Sequence, residues 1–199
     1  MQVNYYEASA LCHPGNTSGR PVTLNDYHRT AWHLFSGDTH YPQRERPFIF
    51  RAQWLTLEQH LFSVRSARDF PHAEKRVLTL NEGTTLQLEW HWVPTVATRL
   101  SASGERLPRS QHIPAPRERW ASLIIERMQR QGWAINVDSV GFYPLGRWPQ
   151  QHKLSVQHPV VRVCAEATVI DTSLAATAWF QGVSRLRTYG MGMLCPVRV

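Results

Sequence analysis

Leu86, Leu88, Trp90 and Trp92 alternate with Gln87, Glu89 and His91. Large apolar side chains at period two, with polar ones between, make a strand with one buried face, because successive strand side chains point to opposite sides of a sheet. A helix would scatter the two Leu and two Trp around its circumference. The chain must therefore build a sheet with a covered face, and other segments must cover it. Arg76–Leu80 precedes this strand across the turn signal Asn81-Glu82-Gly83, so the two runs are expected to form a hairpin.

Other segments supply the remaining layers. Met1–Ala10 reads as a strand in which Val3 and Tyr5 alternate with Asn4 and Tyr6, followed by a turn-rich stretch over Cys12–Pro21. A helix is expected to start at Thr23, with Thr23 accepting a backbone N–H and Asp26 suiting the positive helix end. Its apolar face carries Leu24, Tyr27, Ala31, Leu34 and Phe35. Phe48–Trp54 and, more weakly, Leu61–Val64 read as strands. A second helix is expected over Glu118–Gln131, with Trp120, Leu123, Ile124 and Met128 on its core side and Gly132 as its stop. Ile135–Phe142 and Leu154–Val169 read as strands, the second bending near Pro159. Asp171 caps a third helix, and Met191–Val199 closes as a last strand.

This order suits two small α+β sandwiches, each a sheet with helices on one side. Between them, Pro94–Arg117 is poor in large apolar residues and carries Arg99, Arg106, Arg109 and Arg117 among several Pro and Gly, which reads as a mobile basic connector. The formal charge of the 199-residue chain is +7, a surplus that draws a protein toward polyanions. The first seven residues carry no basic start to an apolar run, so no signal peptide is expected, and no apolar stretch is long enough to span a bilayer. Cys12, Cys164 and Cys195 lie too far apart for a C-x-x-C motif, which points to reduced thiols in the cytosol.

Two constellations carry chemistry. On the first helix, Tyr27-His28-Arg29 precedes Trp32-His33. At about 100° per residue, His28 falls at the edge of the apolar face beside Trp32, while His33 turns to solvent. A half-buried imidazole can hold one tautomer and titrate near neutrality, as proton transfer requires, and Arg29 could neutralise a phosphate. Near the C-terminus, Gly182-Val183-Ser184-Arg185-Leu186-Arg187-Thr188-Tyr189-Gly190-Met191-Gly192 is a glycine-punctuated loop with two arginines. Glycines allow positive φ and close approach, so N–H groups of Gly190 and Gly192 could face phosphates. The chain has no H-E-x-x-H and no helical i, i+4 His pair, no P-loop ending and no Gly-x-Ser-x-Gly elbow. Neither a metal site nor a cofactor is expected.

Together these residues resemble the CRISPR-repeat endoribonucleases of the type I-E Cascade, the CasE family. The resemblance rests on His28-x-x-x-Trp32-His33-Leu34-Phe35, on the Phe48–Arg51 strand, on Trp92-Val93-Pro94 running into the basic segment through Arg109, and on the closing loop Tyr189-Gly190-Met191-Gly192-Met193-Leu194. It covers nearly the whole chain. It implies two tandem ferredoxin-like (RRM-like) domains, here 1–93 and 118–199, joined by the connector 94–117. It further implies metal-independent cleavage at the 3′ base of a repeat hairpin, leaving a 5′-hydroxyl and a 2′,3′-cyclic phosphate. The family's catalytic histidine falls on His28 and its basic loop positions on Arg185 and Arg187. The family often has a tyrosine one helical turn before the histidine; Asn25 stands there, and the adjacent Tyr27 joins His28 and Arg29 as a catalytic candidate. Expected partners are the repeat RNA hairpin, held by Arg99, Arg106, Arg109, Arg117, Arg185, Arg187, Gly190 and Gly192, and other subunits of a CRISPR effector complex in the cytoplasm. The rival expectation is a non-catalytic RNA-binding subunit of the same fold.

Overall fold

The computed structural model describes residues 1–13, 23–36, 46–56, 59–101, 103–150 and 153–197. Of the turn-rich stretch expected over Cys12–Pro21, all but Cys12 and His13 lie outside the described residues. The first sheet is built from β1 (Gln2–Cys12), β2 (Phe48–Trp54), β3 (His60–Ser66) and β4 (Glu74–Thr79), with helix α1 (Leu24–Ser36) between β1 and β2. Its order is β2-β3-β1-β4, all antiparallel. Register sets its two faces. Ala8, Val64 and Phe50 share one row and Ala10, Phe62 and Ala52 the next. These rows meet Tyr27, Ala31 and Trp32 of α1 in one apolar cluster.

The chain then runs through β5 (Thr85–Trp92), β6 (Thr95–Leu100), β7 (Arg106–Pro114), α2 (Trp120–Gln129), β8 (Trp133–Ile135), β9 (Gly141–Gln150), β10 (Lys153–Val169), α3 (Thr172–Gln181) and β11 (Cys195–Pro196). The second sheet has the order β11-β5-β10-β8, with β9 pairing the earlier part of β10. In the first sheet the first and third strands are central and the second and fourth are edges; the second sheet repeats this with β5 and β10 central and β8 and β11 at the edges, β9 being an addition along β10. This is the ferredoxin-like arrangement, stated twice. In the first domain Ala67–Ala73 is a loop where the full pattern would have a second helix, and Phe70 on that loop closes the core.

Four expectations are corrected. Arg76–Leu80 and Thr85–Val93 do not form a hairpin: β4 pairs with β1, whereas β5 pairs with β10 and β11. The Asn81-Glu82-Gly83 turn hands the chain from one sheet to the other, tied by Gly83 N–H to Val169 O and Val169 N–H to Thr84 O, both at 2.9 Å. The physical reason is burial. Leu88, Trp90 and Trp92 need the cover that α2 and α3 provide, while β4 is an edge strand with Val77 exposed. The boundary between the sheets therefore lies at this turn, not at residue 93. Second, the segment expected to be a mobile connector is the antiparallel hairpin β6–β7, closed by Ser101 N–H to Glu105 O at 2.8 Å. Its residues are largely exposed on both faces, so it needs a main-chain ladder and β-branched residues rather than a core. Third, the strand expected over Ile135–Phe142 is split by a 3-10 turn at Val137–Ser139, where the Asn136 side chain accepts the Asp138 N–H at 3.2 Å and offers the backbone an alternative to the ladder. Fourth, of the expected last strand the described residues keep Cys195–Pro196, its start being turned by Gly192 at φ +83°, and Arg198 and Val199 lie outside the described residues. The expected Asp171 cap forms, accepting the Leu174 N–H at 2.8 Å.

The back of the first sheet faces the second domain through Arg65, which is 1% exposed. Its guanidinium binds Glu7 (Nε at 2.9 Å, Nη2 at 2.8 Å), donates to Leu194 O at 2.8 Å and lies 3.8 Å from the centre of the Trp179 ring. Without Arg65, Glu7 would keep Arg76 at 3.4 Å, but the Leu194 carbonyl would lose its donor and the Trp179 ring its cation, and a buried acceptor left unmet costs about 1–3 kcal/mol. Arg65→Ala should therefore lower the urea unfolding free energy by that order. A loss below about 1 kcal/mol would show that the domain junction does not depend on this residue.

Candidate active site

The site begins with the first turn of α1. Thr23 donates its N–H and its hydroxyl to Asp26 Oδ2 at 2.8 and 2.7 Å. The expected cap is present with its roles turned around, since the buried Asp26 carboxylate receives both bonds. This start fixes the helix rotation: Tyr27 and Ala31 point into the core, and His28 and Trp32, one turn apart, line its margin. His33 is exposed, as the helical wheel requires.

His28 is held at both ring nitrogens. Nδ1 lies 2.9 Å from the Thr188 carbonyl, and Trp32 Nε1–H donates to Nε2 at 3.2 Å. A carbonyl only accepts and an indole N–H only donates, so His28 carries its proton on Nδ1 and a lone pair on Nε2. Burial pushes its pKa below the ordinary 6.5; the Thr188 carbonyl opposes this, and the Arg46 charge adds to it. The imidazole is neutral at pH 7, with its lone pair on the Nε2 that faces Trp32.

Thr188 belongs to the glycine loop, whose neck is zipped. Val183 N–H donates to Gly192 O at 2.9 Å and Gly192 N–H to His91 O at 2.8 Å. A side chain at Gly192 would put its Cβ 2.4 Å from Ser184 N, and one at Gly190 would meet the Phe50 ring at 2.8 Å. Glycine is required at both because φ is positive and neighbours are in the way. Both are buried and their N–H groups are spent inside the protein, on His91 O and Arg187 O. The expectation that they face phosphates is corrected: they shape the loop, and the tip Arg185–Tyr189 is what the loop presents. There Tyr189 meets the His28 ring edge-on with centroids 6.3 Å apart.

The tip concentrates positive charge. Arg185 and Arg187 are exposed, and Arg187 donates to Gln181 O at 3.0 Å. Arg46 donates to Arg187 O at 2.7 Å and lies over Phe48 and Phe50. Burial, then Arg187, pushes Arg46 down to about 10. Arg127 on α2 is also lowered, by burial and then by Arg185, Arg130 and Arg187. His112 on β7 is lowered by burial, then by Arg185 and Arg127. Arg46, Arg127 and His112 are thus lowered by neighbouring cations, a crowding that an anion would relieve.

Of the other expected residues, Tyr27 is corrected. It is 2% exposed, its hydroxyl accepts the Trp54 indole N–H at 2.8 Å, and burial pushes its pKa far above the ordinary tyrosine value. It packs the core behind the site. Arg29 pairs with Asp26 on its own helix at 3.5 Å. Arg99, Arg106 and Arg109 are exposed on the β6–β7 hairpin, and Arg117 at its foot lies 6.0 Å from the Trp120 ring. His112 shows where this hairpin approaches the loop. Arg46, Arg127, His112 and the Thr188 carbonyl were not singled out in the sequence. Arg127 lay on the polar side of a helix read for its core face, and a carbonyl's role has no sequence signal. Among the described residues, no group of three or more His, Cys, Asp or Glu could hold a metal ion, and no helix is long and apolar enough to cross a membrane.

No protein-family model matches the sequence, and no curated protein does. Solved structures match along almost its entire length. The chain has the fold of CRISPR endoribonucleases. The CRISPR-associated protein Cas6e from Escherichia coli K-12 superimposes with a TM-score of 0.66 at 16% identity, covering 98% of this chain and 100% of that one. Thermus thermophilus Cse3, bound to an RNA representing a pre-cleavage complex, gives 0.65 at 19% identity, covering 98% and 99%. A chain of a CRISPR RNA-guided surveillance complex, pre-nicking, gives 0.61 at 17% identity, covering 98% and 100%.

Trp32 offers a direct check on the His28 tautomer. Its N–H stabilises the unprotonated Nε2, so Trp32→Phe, which keeps a ring in place and removes the donor, should raise the His28 pKa toward 6.5. NMR titration of the His28 ring reads this; an unchanged or lower pKa would show that the indole N–H does not set the proton's position.

Proposed function

We propose that this chain is a CRISPR repeat RNA endoribonuclease, cutting pre-crRNA at the 3′ base of the repeat hairpin without a metal ion, through attack by the RNA's own 2′-hydroxyl. The observation that carries this reading is the bond between His28 Nδ1 and Thr188 O. It joins a neutral imidazole to the loop bearing Arg185 and Arg187, on a fold shared with RNA-bound Cse3.

The 2′-hydroxyl lies next to the scissile phosphate, so the protein needs to remove its proton and balance the growing phosphate charge. His28 Nε2, neutral at pH 7, takes the 2′ proton once the Trp32 indole N–H gives way. A neutral hydrogen bond of this kind contributes about 0.5–1.5 kcal/mol net, little enough for substrate to displace. The 2′-oxygen bonds to phosphorus, the bond to the 5′-oxygen breaks, and that oxygen takes a proton from solvent. The products end in a 2′,3′-cyclic phosphate and a 5′-hydroxyl. Arg185 and Arg187 at the exposed tip stabilise the charge on the pentacoordinate phosphate, backed by Arg46 and Arg127. The β6–β7 hairpin, with Arg99, Arg106 and Arg109, is an exposed basic ribbon beside the loop and suits the RNA stem, where contacts follow shape and phosphates. On this reading the chain works in the cytoplasm beside other subunits of a CRISPR effector complex, which is supported by its likeness to a chain of a CRISPR RNA-guided surveillance complex.

Single-turnover cleavage of a repeat hairpin in EDTA tests this. His28→Ala should slow cutting by about a hundredfold or more, the scale for losing one general base, while His33→Ala changes little. A 2′-deoxy substitution at the cleavage position should abolish cutting. Hairpin that is bound but uncut by the wild type would make the chain a non-catalytic RNA-binding subunit.

The pH profile follows from the lowered pKa of His28. kcat/KM reports the free enzyme, so it should be flat above about pH 6.5 and fall as pH drops and Nε2 becomes protonated. A rate that rises on acidification would assign His28 the acid role instead.

A further inference from the structure

A cavity of about 250 Å³ opens where the end of β2 crosses the second sheet. Its walls carry Arg51 and Trp54 from β2, Glu89 and His91 from β5, Tyr143 from β9 and Arg162 from β10. It shares a wall with the catalytic loop, since His91 O accepts the Gly192 N–H, and Arg51 directly follows Phe50, the ring against which Gly190 packs. Yet none of these six residues takes part in the cleavage chemistry derived above.

The charges do not cancel. Arg51 bonds Glu89 and lies 3.5 Å from Gln53 Oε1, while Arg162 Nη1 is 3.8 Å from the other Glu89 oxygen. One carboxylate thus sits between two guanidiniums, and burial together with those arginines pushes His91 down to about 3, keeping it neutral. The cavity keeps one net positive charge. Arg162 has no acceptor for its Nε among the described residues and meets Glu89 only at 3.8 Å, while its side chain is 39% exposed, so its guanidinium can take a ligand oxygen. Two half-exposed aromatic rings line the same cavity. Tyr143 is 48% exposed with the Arg162 guanidinium 4.9 Å from its ring centre, and Trp54 is 46% exposed. The volume falls below the roughly 300–1,000 Å³ of pockets for drug-sized ligands, which favours one compact unit over an extended ligand. A cation for a phosphate beside rings for a base is the composition that binds unpaired nucleotides.

We infer that this cavity holds one unpaired nucleotide of the RNA flanking the hairpin, with its phosphate at Arg162 and its base stacked at Tyr143. The inference rests on the RNA-processing reading and extends it: the enzyme grips single-stranded RNA beside the cut as well as the stem. The flank contributes affinity and sets which strand reaches the loop.

The test compares two hairpins, one with single-stranded flanks and one trimmed to the stem-loop, in equilibrium binding to wild type, Arg162→Gln and Tyr143→Ala. Wild type should prefer the flanked RNA, and each substitution should reduce that preference by about tenfold, the scale of losing one stacked or paired nucleotide contact. Removing the 5′ and 3′ flanks separately identifies the strand that supplies the nucleotide. An unchanged preference, or no preference in the wild type, overturns the inference. If Arg162→Gln does not fold, Tyr143→Ala at its half-exposed position carries the comparison. A second measurement separates this idea from the functional reading: adenosine monophosphate, titrated against Trp fluorescence, should bind wild type and lose affinity in both variants. If no hairpin binds at all, the RNA-processing reading fails, and the cavity's part then stands or falls on this titration. Inorganic phosphate competing as well as the mononucleotide would show that the rings play no part and would overturn the inference.

Discussion

Arg65 is the residue on which the arrangement of the two domains depends. It comes from the middle of the first domain's sheet, where Glu7 neutralises it and the Tyr5 ring lies beside it, and its other partners are in the second domain: the Leu194 carbonyl at the exit of the glycine loop, and the Trp179 ring in the last turn of α3 before that loop begins. A buried cation is tolerated only when its charge is paired and its N–H groups are met; Glu7 supplies the charge, and the two ends of one loop supply a carbonyl and a ring. A shift of those ends would break both contacts, so the residue ties the loop that bears Thr188 to the first domain's sheet.

The site is built against the grain of stability in one respect. Arg46, Arg127, Arg185 and Arg187 raise each other's electrostatic energy, and Arg46 is drawn partly under cover over two phenylalanine rings. Such crowding is unfavourable in the free protein and is relieved when a phosphate enters. Of these charges Arg46 reaches His28, where it adds to the larger effect of burial in keeping the imidazole neutral.

Local patterns were legible in the sequence and long-range choices were not. The alternation of Leu88, Trp90 and Trp92, the start of α1 at Thr23 and Asp26, and the Asp171 cap depend on neighbours within a few residues, and each appears in the fold. Which sheet β5 joins depends on β10, some eighty residues away, and the turn at Asn81 looked the same for either outcome. The β6–β7 hairpin reads as a mobile basic connector because a ribbon solvated on both faces has no apolar period to show. At the candidate site, the place of His28 at the helix margin was legible from the helical wheel. The burial of Tyr27 was not, because its hydroxyl meets Trp54, a residue on a strand. Arg46 and Arg127 gain their meaning only from Arg187 and Arg185, which the fold brings to them.

The central claim is that the nucleophile is the RNA's own 2′-hydroxyl, activated by His28, and the chemistry of the cut ends reads this most directly. Mass spectrometry of products from a single turnover in EDTA distinguishes the routes. The account predicts one fragment ending in a 2′,3′-cyclic phosphate and the other beginning with a 5′-hydroxyl. A fragment beginning with a 5′-phosphate would mean that water attacked the phosphorus and would contradict it.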